Sequence, residues 1–399
     1  MRPRRWFRLF ALIAAIGLFF AACSTEDDEP ESTDNGSDTT AAGDTSDTGD
    51  TGDTGGSGEP ATCQGEAGAE PTLEPVNGTG GDNSGSAKIG MVLDIGGVDD
   101  DSFNEAAHNG LVAAEEDFGV EVTYLEPNED GSNRGDLLRQ LAEDGNDLVI
   151  GVGFLFAEPL GGTEDAPGGI AAEFPDTKFA IIDDSSITAD NVTSLVFAEE
   201  QGSFLVGAAA ALSSGTGQIG FIGGVETPLI QKFQAGFEAG VAQIDPDAEV
   251  EVNYITQPPD FGGFADPASA KTIADGMYDN DIDVVYHAAG GSGGGLFESA
   301  AAADRLAIGV DSDQYQQQDA EVQPCILSSM LKRVDVAVYS AIDSLLNDEL
   351  EPGALTFDLS NDGVGYATDG GQLDDVQDQI EDLKAQIISG DIEVPTEPS

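Results

Sequence analysis

Nine short apolar runs recur along the body of this chain, and helix-length stretches fit between most of them. The runs are Lys88–Leu93, Val120–Leu125, Leu148–Gly153, Phe179–Asp183, Val192–Ala198, Gln218–Gly223, Val250–Ile255, Val284–Ala288 and Leu306–Asp311. Runs of this kind suit strands covered on both faces. Their alternation with helical stripes argues for parallel sheets flanked by helices. The runs fall into two groups that separate near residues 199–217. A body of about 310 residues also exceeds one ordinary core. The expected fold class is α/β, with two lobes and a cleft between them.

Local signals place the helices. Ser102 and Glu105 are spaced as a capping box, and Phe103, Ala106, Ala107, Gly110, Leu111, Ala114 and Phe118 form one stripe behind them. Thr227-Pro228 and Asp266-Pro267 each pair an N-cap residue with a proline at the first helical position. Ser328–Leu346 reads as one helix returning to the first lobe. Leu373, Val376, Ile380, Leu383 and Ile387 form a last amphipathic stripe.

In open α/β sheets ligands bind beyond the carboxyl ends of the strands. Asp94, Asp183, Gly290 and Asp311 all follow apolar strands, and Phe103 and Asn104 open the helix after Asp94. A carboxylate, an amide and an aromatic face suit a flat ligand with polar edges. Acidic groups here can accept hydrogen bonds from hydroxyls or amines, and glycine allows close backbone approach. Lys332, one of six lysines, could pair with Asp311 and grip adjacent hydroxyls. The loop Ala289–Gly295 fits no phosphate-binding spacing. No Cys/His cluster has metal-ligand spacing, and no nucleophile elbow is present. The residues therefore point to a binding protein without a cofactor, and not to an enzyme.

The amino terminus begins with Arg2, Arg4, Arg5 and Arg8, then an apolar run ending in Phe20-Ala21-Ala22-Cys23. This is a secretion signal over residues 1–22, with Cys23 as the lipidated first residue of the mature chain. Arg4-Arg5-Trp6-Phe7 also fits a twin-arginine export signal loosely. Residues 23–87 are rich in Gly, Ser, Thr, Asp and Glu, and read as a flexible tether. Cys63 lies in this tether, and a disulfide to Cys325 is permitted outside the cytoplasm. With 76 acidic against 14 basic residues, the net charge of −62 excludes nucleic-acid binding as the main task.

Eight segments then carry a resemblance. GMVLDIGGVDDDSFNEAAHNG, FAIID, NVTSLVFAEEQGSFLVGAAAAL, FQAGFEAGV, FADPASA, HAAGGSGGG, AIGVDSDQY and SSMLKRVDVAV occur in this order. Together they resemble the basic membrane protein family of lipoproteins. The resemblance implies the type I periplasmic-binding-protein fold, two Rossmann-like lobes joined by a hinge. It implies a nucleoside in the cleft, a purine nucleoside by preference, delivered to an ABC permease and its ATPase. Phe103 and Phe264 would stack on the base. Asp94, Asn104 and Asp183 would line the base end, and Gly290, Asp311 and Lys332 the ribose. Phe233 is an alternative stacker that its helical stripe marks as core. His108 stands where relatives often carry an aromatic residue, which bears on ligand size.

The expected organisation has a first lobe over 88–198, with 328–350 returning to it. The second lobe spans 199–327, and 351–399 supply a C-terminal strand and helix. The expected protein is a monomer held at the membrane by its lipid. The alternatives are a binding protein for a sugar or other small polar ligand, a surface receptor or adhesin without a transport role, and a nucleoside hydrolase.

Overall fold

The computed structural model describes residues 58–68, 87–163 and 167–399. The expected signal and Cys23 lie outside the described residues, as does most of the tether. All nine expected strands form: β1 Lys88–Val92, β2 Glu121–Leu125, β3 Leu148–Gly151, β4 Lys178–Ile182, β5 Val192–Phe197, β6 Gln218–Val225, β7 Glu249–Thr256, β8 Val284–Ala288 and β9 Leu306–Asp311. Three more follow: β10 Ile326–Lys332, β11 Gly353–Phe357 and β12 Val364–Tyr366. The helices are α1 Phe103–Phe118, α2 Arg134–Glu143, α3 Ala157–Gly161, α4 Gly169–Glu173, α5 Glu199–Ser213, α6 Pro228–Ile244, α7 Pro267–Asp279, α8 Gly293–Ala303, α9 Val334–Leu346 and α10 Gln377–Ser389.

The strands build two sheets, in the orders β11-β5-β4-β3-β1-β2 and β12-β10-β9-β8-β6-β7. Every pairing is parallel except that of β10 with β12. This is the expected α/β architecture, with the fully buried β3 and β8 that two-sided covering requires. The chain passes from the first sheet to the second after β5, returns after β10, and crosses again after β11. Those crossings form the hinge beneath the cleft.

Ser328–Leu346 is not one helix. Its first part is β10, which pairs with β9 in the second sheet, and only α9 returns to pack on α1. The pattern ILSSMLK is buried at every position, so no helical stripe exists there. Lys332 consequently ends a strand of the second lobe.

The helix starts at Thr227 and Asp266 form as expected, each side chain accepting a backbone N–H. The capping box of α1 does not form. Asp100 replaces it, accepting from the N–H groups of Ser102 (3.0 Å), Asn104 (2.9 Å) and Glu105 (3.0 Å). A carboxylate at a helix amino end outcompetes a hydroxyl there, because it is charged and can take several donors. The Ser102 hydroxyl is thereby free to act elsewhere.

Residues 58–68 are no free tether. They run along the amino ends of the second sheet's strands. Gly58 N–H meets Gly215 O at 3.0 Å, Ala61 N–H meets Asp283 at 2.9 Å, and Gly65 N–H meets Pro324 O at 3.0 Å. Cys63 and Cys325 form a disulfide. Low complexity hides this strap because backbone N–H groups, not side chains, make most of its contacts.

Candidate functional site

The carboxyl ends of both sheets face a common cleft. All eight expected ligand residues line it: Asp94, Phe103, Asn104, Asp183, Phe264, Gly290, Asp311 and Lys332. Strand ends place them, and the turns after the strands aim them. Asp183 and Asp311 both adopt left-handed backbone, at φ 68° and 66°. Among side-chain-bearing residues Asp tolerates this conformation better than most. Such turns concentrate where a site is held in place.

One end of the cleft is a network of hydrogen bonds. Asp94 N–H donates to Asn104 Oδ1 at 2.8 Å. The Asn104 amide nitrogen donates to Asp100 at 2.9 Å and to Ile95 O at 3.3 Å. Arg134 pairs with the Asp94 carboxylate through Nε at 2.9 Å and through Nη2. Burial pushes the Asp94 pKa up, and Arg134 opposes the shift. Burial also raises Asp100, against the backbone N–H groups it caps.

The other end centres on Lys332, whose side chain is 2% exposed. Its ammonium lies 2.7 Å from Asp183 Oδ2 and 3.2 Å from Glu199 Oε1. The Phe103 and Phe197 ring centroids are each 5.0 Å away. Burial works against this charge, but Asp183, Glu199 and Asp311 hold the Lys332 pKa above its ordinary value. Glu199 also pairs with Lys232, which reaches Glu200 at 3.6 Å. The expected pairing of Lys332 with Asp311 is replaced by these contacts. Asp311 instead accepts the Ser102 hydroxyl at 2.5 Å across the cleft. Burial pushes Asp183 and Asp311 each up to about 6, with Lys332 opposing. Asp183 therefore stands with Lys332, not with the Asp94 end as the resemblance grouped it. Its Oδ1 is buried and meets no hydrogen-bond donor.

The walls are aromatic. Phe264 belongs to a short turn over Gly262–Phe264 and leans on Gly224, where a Cβ would come within 2.5 Å of the ring. Phe233 is buried in α6 yet lines the cleft, with its centroid 5.6 Å from the Lys332 ammonium, so its core role and its site position coincide. Phe154 and Phe261, 6.0 Å apart edge to face, also line the cleft. Neither was anticipated, although Phe154 follows an apolar strand as Asp94 does. Asp100, Arg134 and Glu199 were missed as well. The roles of Arg134 and Glu199 rest on partners distant in sequence, whereas Asp100 caps the helix that begins three residues later. His108 packs edge to face on Tyr124, 4.6 Å between centroids, and is not among the cleft-lining residues.

Among the described residues no helix is long and apolar enough to cross a membrane. Residues 87–397 match the family model of PnrA-like ABC transporter substrate-binding proteins. A Lactococcus lactis protein named as an ABC transporter nucleoside-binding protein is 33% identical, over 80% of this chain and 92% of its own length. Basic membrane protein A of Borreliella burgdorferi is 32% identical, over 80% of this chain and 91% of its own. A crystal structure of an ABC transporter solute-binding protein from Aeropyrum pernix superposes with a TM-score of 0.67 at 28% identity, covering 78% of this chain and 94% of that one.

Proposed function

The chain belongs to the family of PnrA-like ABC transporter substrate-binding proteins, and from that premise we propose that its cleft binds nucleosides, with purine nucleosides preferred. Such a protein is a carrier and not an enzyme: it binds a small molecule and hands it to a permease driven by an ATPase. The observation that carries the nucleoside reading is the division of the cleft. Aromatic walls, Phe103 and Phe264 among them, lie between two polar ends. A flat base needs faces to stack on and donors or acceptors at its edge. A sugar ring needs acceptors for its hydroxyls. The unpartnered Asp183 Oδ1 and the nearby Lys332 suit adjacent hydroxyls, one donating and one accepting. The printed name of the Lactococcus lactis relative supports the same ligand class.

The protein works outside the cytoplasm as a monomer, held to the membrane by a lipid on Cys23. The apolar run ending in Ala21-Ala22-Cys23 supports the anchor. A thermal-shift screen against nucleosides, free bases and sugars tests the ligand. A ligand present at one hundred times its dissociation constant stabilises by about 2.7 kcal/mol. Stabilisation by sugars and not by nucleosides would overturn the reading in favour of a sugar carrier.

A further inference from the structure

Arg134 lies on the outer side of the Asp94 carboxylate, and the chain is shaped around it. Nε donates to Asp94 Oδ1 at 2.9 Å, and Nη2 donates to the same oxygen. Nη1 donates to Gly131 O at 3.1 Å. Gly131 is left-handed at φ 64°, and a Cβ there would lie 2.1 Å from Nη1. A side chain at residue 131 would be strained at this φ and would push on the guanidinium where it now sits. The Phe156 ring covers the guanidinium carbon at 5.8 Å.

The donors to Asp94 converge on one oxygen. Ile95 N–H adds a third bond to Oδ1, at 2.7 Å. Oδ2 lies beside Gly153, 2.8 Å from where a Cβ would stand, and both residues line the cleft. We propose that Arg134 is a positioning residue for the cleft: it pins Asp94 by Oδ1 and leaves Oδ2 as an acceptor that selects ligands with an N–H or O–H donor at that end. The ligand side rests on the nucleoside reading, whereas the Arg134–Asp94 relation does not.

The physical reason is charge. Asp94 is buried, and burial favours the neutral acid. A neutral acid can donate as well as accept, and so discriminates poorly. Arg134 opposes the upward push of burial on the carboxylate and fixes its rotamer through a planar fork that Lys cannot reproduce. The other charged groups on this side do not substitute for it. Asp100 is negative and committed to the α1 N–H groups, and Glu126 caps the Val98 N–H at 3.0 Å. Asp183, Asp311 and Lys332 line the same cleft and titrate or pair on their own account.

The test uses Arg134→Gln, Arg134→Lys and the double variant Asp94→Asn/Arg134→Gln. Carbon NMR of aspartate carboxyls in the ligand-free proteins follows Asp94 directly. Its titration midpoint should rise in Arg134→Gln, and an unchanged midpoint overturns the proposal whatever the ligand is. Calorimetry with inosine, which carries a ring N–H, gives the second readout. Arg134→Gln should lose about tenfold or more in affinity at mildly acidic pH, and regain part of it as pH rises and Asp94 ionises. The double variant should keep only the wild-type pH dependence. Arg134→Lys should restore ionisation but not full affinity. A loss in Arg134→Gln that is independent of pH overturns the proposal. Failure of wild-type protein to bind inosine, with the Asp94 midpoint shifted as expected, counts against the nucleoside reading and leaves the positioning role standing.

Discussion

The ammonium of Lys332 sits 2.7 Å from the carboxylate of Asp183, joining the end of a strand in the second lobe to the end of a strand in the first. Both groups are nearly inaccessible to solvent. A buried charge pair that spans a hinge closes the cleft floor, and removing one member strands the other.

Lys332→Ala should therefore cost about 3–5 kcal/mol of stability, because Asp183 remains buried without its cation and Glu199 keeps only Lys232. Denaturant unfolding measures this. It should also weaken binding of a nucleoside far more than binding of the free base. Equal losses for the two ligands would remove Lys332 from the ribose end.

Asp311 should make stability fall with rising pH. Its folded pKa is about 6, raised by burial above the usual carboxylate value. Between about pH 4 and 6 the folded state thus holds a proton that the unfolded state has released. Stability contributed by that proton is present at low pH and lost as pH rises through the folded pKa. Asp311→Asn should match wild type near pH 4 and exceed it by about 1–3 kcal/mol at neutral pH. Melting curves across this range check the sign, and a pH-independent difference contradicts it.

Phe103→Ala and Phe264→Ala should each weaken nucleoside binding by about 1–3 kcal/mol, the worth of base–aromatic stacking. Titration calorimetry decides. Unchanged affinity in both variants would remove the stacking pair and turn attention to Phe154 and Phe261.

The Cys63–Cys325 bond closes a sequence separation of 262 residues. Cys63→Ser should cost about 2–5 kcal/mol and expose residues 58–68 to protease. Limited proteolysis followed by mass measurement locates the cut. A strap that remains protected would show that its backbone hydrogen bonds suffice without the disulfide.

Cys23→Ser should release the protein from membranes. Fatty-acid labelling and fractionation test the expectation, and a variant that stays labelled places the lipid elsewhere.

The α/β class, the nine strands and six cleft residues, Asp94, Phe103, Asn104, Asp183, Gly290 and Asp311, were legible in the linear pattern, because periodicity and strand ends are local properties; Phe264 came only from the family resemblance, and Lys332 stood out only as one of six lysines. β10 was not. A strand buried on both faces carries no alternation, and SSMLKRVDVAV continues into a true helix, so the two merge in sequence. The α1 cap was misassigned because Asp100, Ser102 and Glu105 compete for the same N–H groups. Only the placement of Asp311 shows why Ser102 does not cap.

By itself the sequence determined which residues stand at the carboxyl ends of strands, and hence which can reach a ligand. Its chemistry is that of side-chain type and spacing. Tertiary structure alone decided who pairs with whom: Lys332 with Asp183 and Glu199, Asp94 with Arg134, and Ser102 with Asp311. Those partners lie 149, 40 and 209 residues apart in the first, third and fourth cases. Electrostatic pairing depends on distance through space and on burial, and neither is written in the order of residues along the chain.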